Sequence, residues 1–317
     1  MYEDTKIVEN DLFMKEFKIY KQIKSFDDLK KLNQCVFLDN LDPNLFNAIE
    51  LNLNSLNEED LKTSGLRPFN EIKCYELKSN PGLLVIPNPF ENGYQRFLIK
   101  KCLYEYHDPP NKTNLDLHMK RDGNLWTNAL KCQNFGEFNK LRWTTIGYHY
   151  DWTNKVYNEL DYTDPPVDVA ELSRVIAALI GYKNYKPEAG IINYYHLNST
   201  LSAHQDHSEK NMNAPLISIS LGSSAVFLIG TTTKTEKPVS LLLRSGDVVI
   251  MSEKARLAYH AVPKILADPE IDNFFQQNNE MCQSRKWYVS DQEWNNFYNY
   301  IKINRINLNI RQVNNND

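Results

Sequence analysis

This chain of 317 residues has no apolar run approaching the ~20 residues of a membrane span, which argues against a spanning helix. Cysteine is sparse. Cys35, Cys74, Cys102, Cys132 and Cys282 are odd in number, scattered and never in a C-x-x-C pair. That pattern argues against a disulfide frame or a cysteine zinc site and fits reduced thiols inside a cell. A general basic field is also missing: the formal net charge is −4, so any hold on nucleic acid needs a local patch. The stretch MYEDTKIVENDLF carries Glu3, Asp4, Glu9 and Asp11, whereas organelle transit peptides are poor in acids. The expectation is a soluble nuclear or cytoplasmic protein with no membrane contact, mitochondrial entry by another route being left open.

What the chain does have is a β-rich run at residues 190–209, GIINYYHLNSTLSAHQDHSE, closing on a histidine and an aspartate two positions apart. Alternate side chains of a strand leave the same face, so His204 and Asp206 can enter one cavity while Gln205 points away. By the same rule His207 is a poor ligand beside Asp206. About 0.4 copies of H-x-D are expected by chance in a chain of this length, so the pair alone decides little. A surface strand end is the plain alternative. A third, distant ligand would complete the two-histidine, one-carboxylate triad of non-haem iron(II) oxygenases. His260, in RLAYHAVP, is the candidate, although an isolated histidine is more commonly a satisfied core residue. His107, His118, His149 and His196 have no carboxylate at ligand spacing.

Helical spacing of Phe13, Phe17, Tyr20 and Ile23 predicts an amphipathic helix docked on a core. Ser25 then caps a short helix bearing Phe26, Leu29 and Leu32. The Asn- and Glu-rich stretch to about residue 66 reads as helix or loop. Residues 82–90, GLLVIPNPF, predict a buried strand stopped by Pro87 and Pro89, with a helix after it carrying Phe97 and Leu98. Loops and a helix near 125–138 lead to residues 141–164, which hold Trp143, Tyr148, Tyr150, Trp152, Tyr157 and Tyr162. Aromatic faces among lysine and arginine suit stacking on unpaired bases, with core-packing aromatic strands as the alternative. Trp152 and Tyr157 sit in polar surroundings, which favours exposure.

A helix over 165–181 ends at Gly181, and short strands follow over 190–195, 201–206, 216–221, 225–229, 239–243, 247–251, 258–262 and 303–313. Strands so spaced, with turn signals such as Ser245-Gly246-Asp247, predict an α+β fold whose core is a double-stranded β-helix, or jelly roll, with supporting helices. A helix is expected around Asp291–Ile301, in an insertion before the last strand.

Residues 305–311, RINLNIR, alternate completely: Arg305, Asn307, Asn309 and Arg311 share one face, Ile306, Leu308 and Ile310 the other. If the polar face turns inward its charge needs an anion, because unpaired buried charge loses its hydration. A small dicarboxylate answers that need, since arginine takes a carboxylate bidentately. The two guanidinium groups, ~20 Å apart at full extension, suggest one direct clamp and one supporting charge. An outward charged face without a ligand is the alternative.

Together, H-x-D at 204–206, the distal His260 and R-x-N-x-N-x-R at 305–311 resemble the AlkB family of iron(II)- and 2-oxoglutarate-dependent dioxygenases. APLISISLGSSAVF, RSGDVVIMS and KARLAYHAVP lie between the ligands in the same order. PGLLVIPNPFENGYQ, NLDLHM, LRWTTIGYHYDW and EAGIINYYHLNSTL look like the homologue-one branch, and the resemblance covers about residues 74–313. It implies that His204, Asp206 and His260 hold Fe(II), that Arg305 pairs with the distal carboxylate of 2-oxoglutarate, and that Asn193, Tyr195 and Asn307 hydrogen-bond this cosubstrate. Arg311 would lie near its oxo-acid end. Trp152, Tyr157 and Tyr162 would fall in a lid over the substrate. The implied layout is a helical N-terminal extension over 1–70, a nucleotide-recognition lid with supporting strands and helices over 71–165, and a catalytic jelly roll over 166–317. Two residues after Asp206, where some members carry an acid that contacts the methylated base, this chain has Ser208.

The implied reaction oxidises a methyl group with O2 and 2-oxoglutarate as cosubstrates; on nitrogen the hemiaminal product releases formaldehyde, on carbon the alcohol persists. N-methylated adenine in tRNA or DNA is the expected substrate, handled by a monomer. Oxidation of 5-methylcytosine in tRNA, or of a protein side chain, keeps the chemistry and changes the substrate. A non-catalytic reader of methylated nucleic acid would need neither the triad nor both arginines, and a zinc hydrolase would not explain RINLNIR. The Asp206→Ala protein is expected to lose 2-oxoglutarate decarboxylation; unchanged release of carbon dioxide would remove the iron assignment.

Overall fold

The computed structural model describes residues 10–118, 120–121, 123–276 and 285–316. Glu3, Asp4, Glu9 and the thiol of Cys282 lie outside the described residues. In chain order the first strands are β1 (Cys35–Phe37), β2 (Phe46–Ile49), β3 (Cys74–Leu77), β4 (Leu83–Ile86) and β5 (Lys112–Thr113). Then come β6 (Trp143–Asp151), β7 (Val156–Tyr162), β8 (Ala189–His196), β9 (Leu201–His204) and β10 (Leu216–Gly222). The last are β11 (Ser224–Ile229), β12 (Val239–Leu243), β13 (Val248–Met251), β14 (His260–Leu266) and β15 (Asn304–Arg311). They build a five-stranded sheet ordered β1-β12-β11-β14-β9 and a ten-stranded sheet ordered β2-β3-β4-β13-β10-β15-β8-β6-β5, with β7 bonded to β6.

Period-two alternation decides the layers. Leu83 and Val85 of β4, and Val249 and Met251 of β13, pack with Ala225, Phe227 and Ile229 of β11 between the two sheets. Their alternates Leu84, Ile86, Val248 and Ile250 face the other way, onto helices. Those helices are Tyr94–Tyr104, Leu125–Cys132, Val167–Leu179 and Asp291–Ile301. On the outer face of the smaller sheet, Val226, Leu228 and Leu242 meet Phe13, Phe17 and Tyr20 of the helix Leu12–Lys21. The result is the expected jelly roll, helix-covered on both sides, with its interior opening between the sheets.

Several local expectations change. The Asn-rich stretch after the second helix is not only helix and loop: β1 adds parallel to β12 and β2 antiparallel to β3. Strands of three and four residues are too short for a periodic signal and are held by the edges they extend. The helix near 125–138 stops at Cys132, where Gln133 turns left-handed at φ 50°. The strand expected to run to Asp206 ends at His204 because its partner β14 begins at His260, directly opposite, after a 3-10 turn over Glu253–Leu257.

β6 does two jobs. Residues up to Gly147 pair with β8, and from Tyr148 onward the strand pairs with β7. Gly147 makes this bend at φ +71°, where a Cβ would stand 2.0 Å from the carbonyl oxygen of Glu188. Asp151 closes the hairpin, its carboxylate accepting from the amides of Thr153 and Asn154. The hairpin thereby projects past the mouth of the jelly roll.

Phe13 is fully buried on the smaller sheet. Phe13→Ala should cost about 3–5 kcal/mol in urea unfolding, as truncation of a buried phenylalanine does. A change below about 1 kcal/mol would mean that this helix does not belong to the core.

Candidate active site

His204 and His260 are register partners at the start of the β9–β14 ladder, with ring centroids 4.2 Å apart. Asp206, two residues past the end of β9, places Oδ1 3.8 Å from His204 Nε2 and Oδ2 3.9 Å from His260 Nε2. One ligand atom from each of the three lies within 4.8 Å of the others. The tautomers are set by the backbone: His204 Nδ1 donates to the Ser202 carbonyl at 2.9 Å, and His260 Nδ1 to the Ala258 carbonyl at 3.1 Å. Both Nε2 lone pairs are left for a metal. Burial, with help from His204, pushes the His260 imidazole down to about 4, so it is neutral and able to ligate at pH 7. Burial would raise the Asp206 carboxyl, but Arg311 and then His260 hold it well below the usual carboxylate range.

The polar face of β15 does turn inward. Arg305 and Arg311 are 2% and 5% exposed and line a cavity of about 760 Å³ together with the triad. Their situations differ. Arg305 Nη2 donates to Ser220 Oγ at 3.0 Å, while its Nε and Nη1 are buried without a hydrogen-bond partner. Burial pushes the Arg305 guanidinium down to about 10, the cost of a cation lacking an anion. Arg311 has two anions: Nη2 reaches Asp206 Oδ2 at 3.2 Å and Nη1 reaches Glu209 Oε1 at 2.8 Å. Two imidazoles with one carboxylate suit iron(II), and a buried guanidinium with free donors suits a carboxylate.

Glu209, three positions after Asp206, has a fully buried carboxylate that also takes Arg256 Nη2 at 2.7 Å. Arg256 Nη1 in turn bonds the Asp206 carbonyl at 2.6 Å. Burial would raise the Glu209 carboxyl, but Arg311 and Arg256 hold it below its ordinary value. Neither Glu209 nor Arg256 stands out in the sequence, although both lie inside the runs HQDHSE and KARLAYH that carry ligands.

Asn193 and Tyr195 of β8 line the cavity beside β15, in register with Asn307 and Arg305. Burial pushes the Tyr195 phenol up to about 12. Asn307 lines the cavity with its amide committed to the sheet: Nδ2 donates to Ser218 Oγ at 2.9 Å and Oδ1 accepts from Asn309 at 2.9 Å. Arg311, expected at the oxo-acid end of a cosubstrate, is engaged with Asp206 and Glu209.

The three expected lid residues separate. Trp152 lines the cavity, is 46% exposed and packs against Trp143 and Tyr150. Tyr157, expected to be exposed, turns its hydroxyl inward to Glu209 Oε1 at 3.1 Å, because a buried carboxylate there needs donors. Tyr162 stays outside the cavity, with its ring against Tyr148 at 4.6 Å. Tyr150, not singled out above its neighbours in the sequence, lines the cavity and bonds Ser208 Oγ at 3.0 Å.

A family model described as the 2OG-Fe(II) oxygenase superfamily matches residues 82–311. The human protein named nucleic acid dioxygenase ALKBH1 is 38% identical over 281 residues, covering 83% of this chain and 72% of that protein. The protein from Schizosaccharomyces pombe named tRNA demethylase abh1 is 34% identical over 288 residues, covering 81% and 88%. From Arabidopsis thaliana, the protein named DNA N(6)-methyladenine demethylase ALKBH1A is 28% identical over 337 residues, covering 94% of each chain.

Arg305→Ala should raise the 2-oxoglutarate concentration for half-maximal decarboxylation by roughly ten- to a hundredfold, the worth of hydrogen bonds to a charged group. Titration of the cosubstrate against released carbon dioxide measures it, and an unaltered requirement would place the clamp elsewhere.

Proposed function

Given that this chain belongs to the 2OG-Fe(II) oxygenase superfamily, in the homologue-one branch of its AlkB family, we propose that its substrate is N-methylated adenine in tRNA or DNA. It is an iron(II)-dependent dioxygenase with 2-oxoglutarate and dioxygen as cosubstrates, and on this reading it releases the methyl carbon as formaldehyde. The observation that carries the reading is the meeting of a His-Asp-His cluster and a buried arginine with two unpartnered donors in one cavity whose wall includes an exposed tryptophan. The printed names of the relatives, a nucleic acid dioxygenase, a tRNA demethylase and a DNA N(6)-methyladenine demethylase, support it.

When bound, iron(II) with its cosubstrates supplies the oxidising chemistry that turns a methyl group into a hydroxymethyl group. The protein's contribution is geometry and exclusion of water. His204, Asp206 and His260 would hold the metal, a ligand set that suits iron(II) with cosubstrates bound beside it. Arg305 seats the far carboxylate of 2-oxoglutarate, while Arg311 steadies Asp206 from behind. Leu216, Phe227, Leu243, Val249, Met251 and Val262 make an apolar part of the wall, which helps to keep bulk water from the oxidising centre. Trp152 and Tyr150 offer aromatic faces at the mouth for a base withdrawn from its stack. An N-hydroxymethyl base then falls apart to formaldehyde and free base.

The direct test is mass spectrometry of nucleosides from tRNA and DNA after incubation with the protein, iron(II), ascorbate and 2-oxoglutarate. Loss of N-methyladenosine or N-methyldeoxyadenosine with formaldehyde release is expected. Unchanged adenines beside oxidised 5-methylcytosine would move the substrate. Trp152→Ala should lower turnover of methylated nucleic acid by roughly ten- to a hundredfold, the worth of one stacked base. Substrate-free use of 2-oxoglutarate should persist in that variant, and equal loss of both would count against a role in base binding.

A further inference from the structure

The β6–β7 hairpin has few holds on the rest of the molecule. β7 has β6 as its ladder neighbour, and every described residue of β7 is exposed or half-exposed. Two of its links are surface ion pairs, Lys112 with Asp161 and Lys210 with Glu159, which solvent weakens. Further links run inward: Tyr150 bonds Ser208, Tyr157 bonds Glu209, and Arg311 donates to the Tyr157 hydroxyl. The Tyr157–Glu209 bond is charge-assisted and ends on a fully buried carboxylate, and so outweighs the surface pairs.

Tyr157 does more than touch Glu209. Its hydroxyl, Glu209 Oε1 and Arg311 Nη1 form a closed triangle of 3.1, 2.8 and 3.3 Å. The other nitrogen of the same guanidinium, Nη2, holds Asp206 Oδ2 at 3.2 Å. A single planar group therefore separates a residue of the hairpin from an oxygen of the metal-binding carboxylate. Burial pushes the Tyr157 phenol well above its ordinary range, so it stays a donor and Glu209 the acceptor. Arg256 grips the second oxygen of Glu209 and the Asp206 carbonyl, which stops the carboxylate from swinging away if the tyrosine leaves.

We propose that Tyr157 is a positioning residue that ties the recognition hairpin to Asp206 through Glu209 and Arg311, so that seating of the hairpin and productive use of the cosubstrate are coupled. The inference rests on the dioxygenase reading above and deepens it. Trp152 lies on the same hairpin, in its turn, five residues before Tyr157. A base held by Trp152 therefore bears on the hairpin's seat, and the seat bears on the orientation of Arg311 against Asp206. Loss of the hydroxyl leaves Glu209 and Arg311 paired, but the hairpin moves independently of them.

The Tyr157→Phe protein tests this, since phenylalanine keeps the ring packing of 5.1 Å against Tyr150 and removes only the hydroxyl. Two measurements are needed. Hydrogen exchange of the metal-free proteins should show amides of residues 151–158 exchanging about tenfold faster in the variant, the effect of one charge-assisted bond on a local opening. In the iron-loaded proteins, demethylated product per 2-oxoglutarate consumed should fall about threefold or more, with the KM for 2-oxoglutarate within about twofold of wild type. Unchanged exchange would overturn the tie, and faster exchange with an unchanged product ratio would overturn the coupling. A parallel fall in product and 2-oxoglutarate use, leaving their ratio intact, would reduce Tyr157 to a structural residue and also overturn it. If wild-type protein consumes no 2-oxoglutarate at all, the functional reading fails instead, and exchange in the metal-free proteins alone upholds or refutes the tie.

Discussion

Two guanidinium groups on the inward face of one strand set the terms for the rest of this site. Charge taken out of water must be matched nearby, and β15 buries both Arg305 and Arg311 between the two sheets. The protein solves the problem once. Arg311 receives Asp206 and Glu209, and Arg256 is added on the far side of Glu209 to complete a chain of alternating charges. Arg305 receives a hydroxyl and no ion pair, with Asp247 acting on it only from beyond contact, which leaves two buried donors at the depth of the cavity open to a carboxylate. A molecule selected only for stability would not keep such a cation; a molecule that must seat a diacid would.

The fold makes that asymmetry possible through the two-residue period of its strands. Isoleucine and leucine at 306, 308 and 310 join the core beneath the helices, so the intervening arginines and asparagines face the space between the sheets. The smaller sheet answers with His204 and His260 opposite one another where β9 and β14 meet. The two histidines and the inward arginines thus come from different sheets and meet because the sheets stack. The bend at Gly147 then carries one strand of the larger sheet out past the opening, where its aromatic residues can reach a substrate.

How much of this was legible in the chain depended on the range of the cause. His204 and Asp206 announce themselves by spacing, and RINLNIR by alternation, because both patterns follow from local strand geometry. The helices Leu12–Lys21 and Asp291–Ile301 were readable from apolar spacing and capping residues for the same reason. Strands β1 and β2 were not, since they are made by the edges they join. Tyr157 was misread as exposed: polar neighbours on its own strand are a local signal, whereas the buried carboxylate that draws its hydroxyl inward lies 52 residues away. Glu209 and Arg256 were hidden because an acid and an arginine beside ligand motifs look like ordinary surface charge until their partners are known.

By itself, then, the sequence determined the strand faces, the candidate ligands and the arginines, since each depends on neighbours within a few residues. It could not determine which charges would be neutralised. That was decided by tertiary structure, which brought Glu209, Arg256 and Asp206 around Arg311 and left Arg305 without an ion pair, Asp247 acting on it only from beyond contact. The physical reason is distance: ion pairing acts over a few ångströms in space, and residues that close are here up to 105 positions apart in the chain.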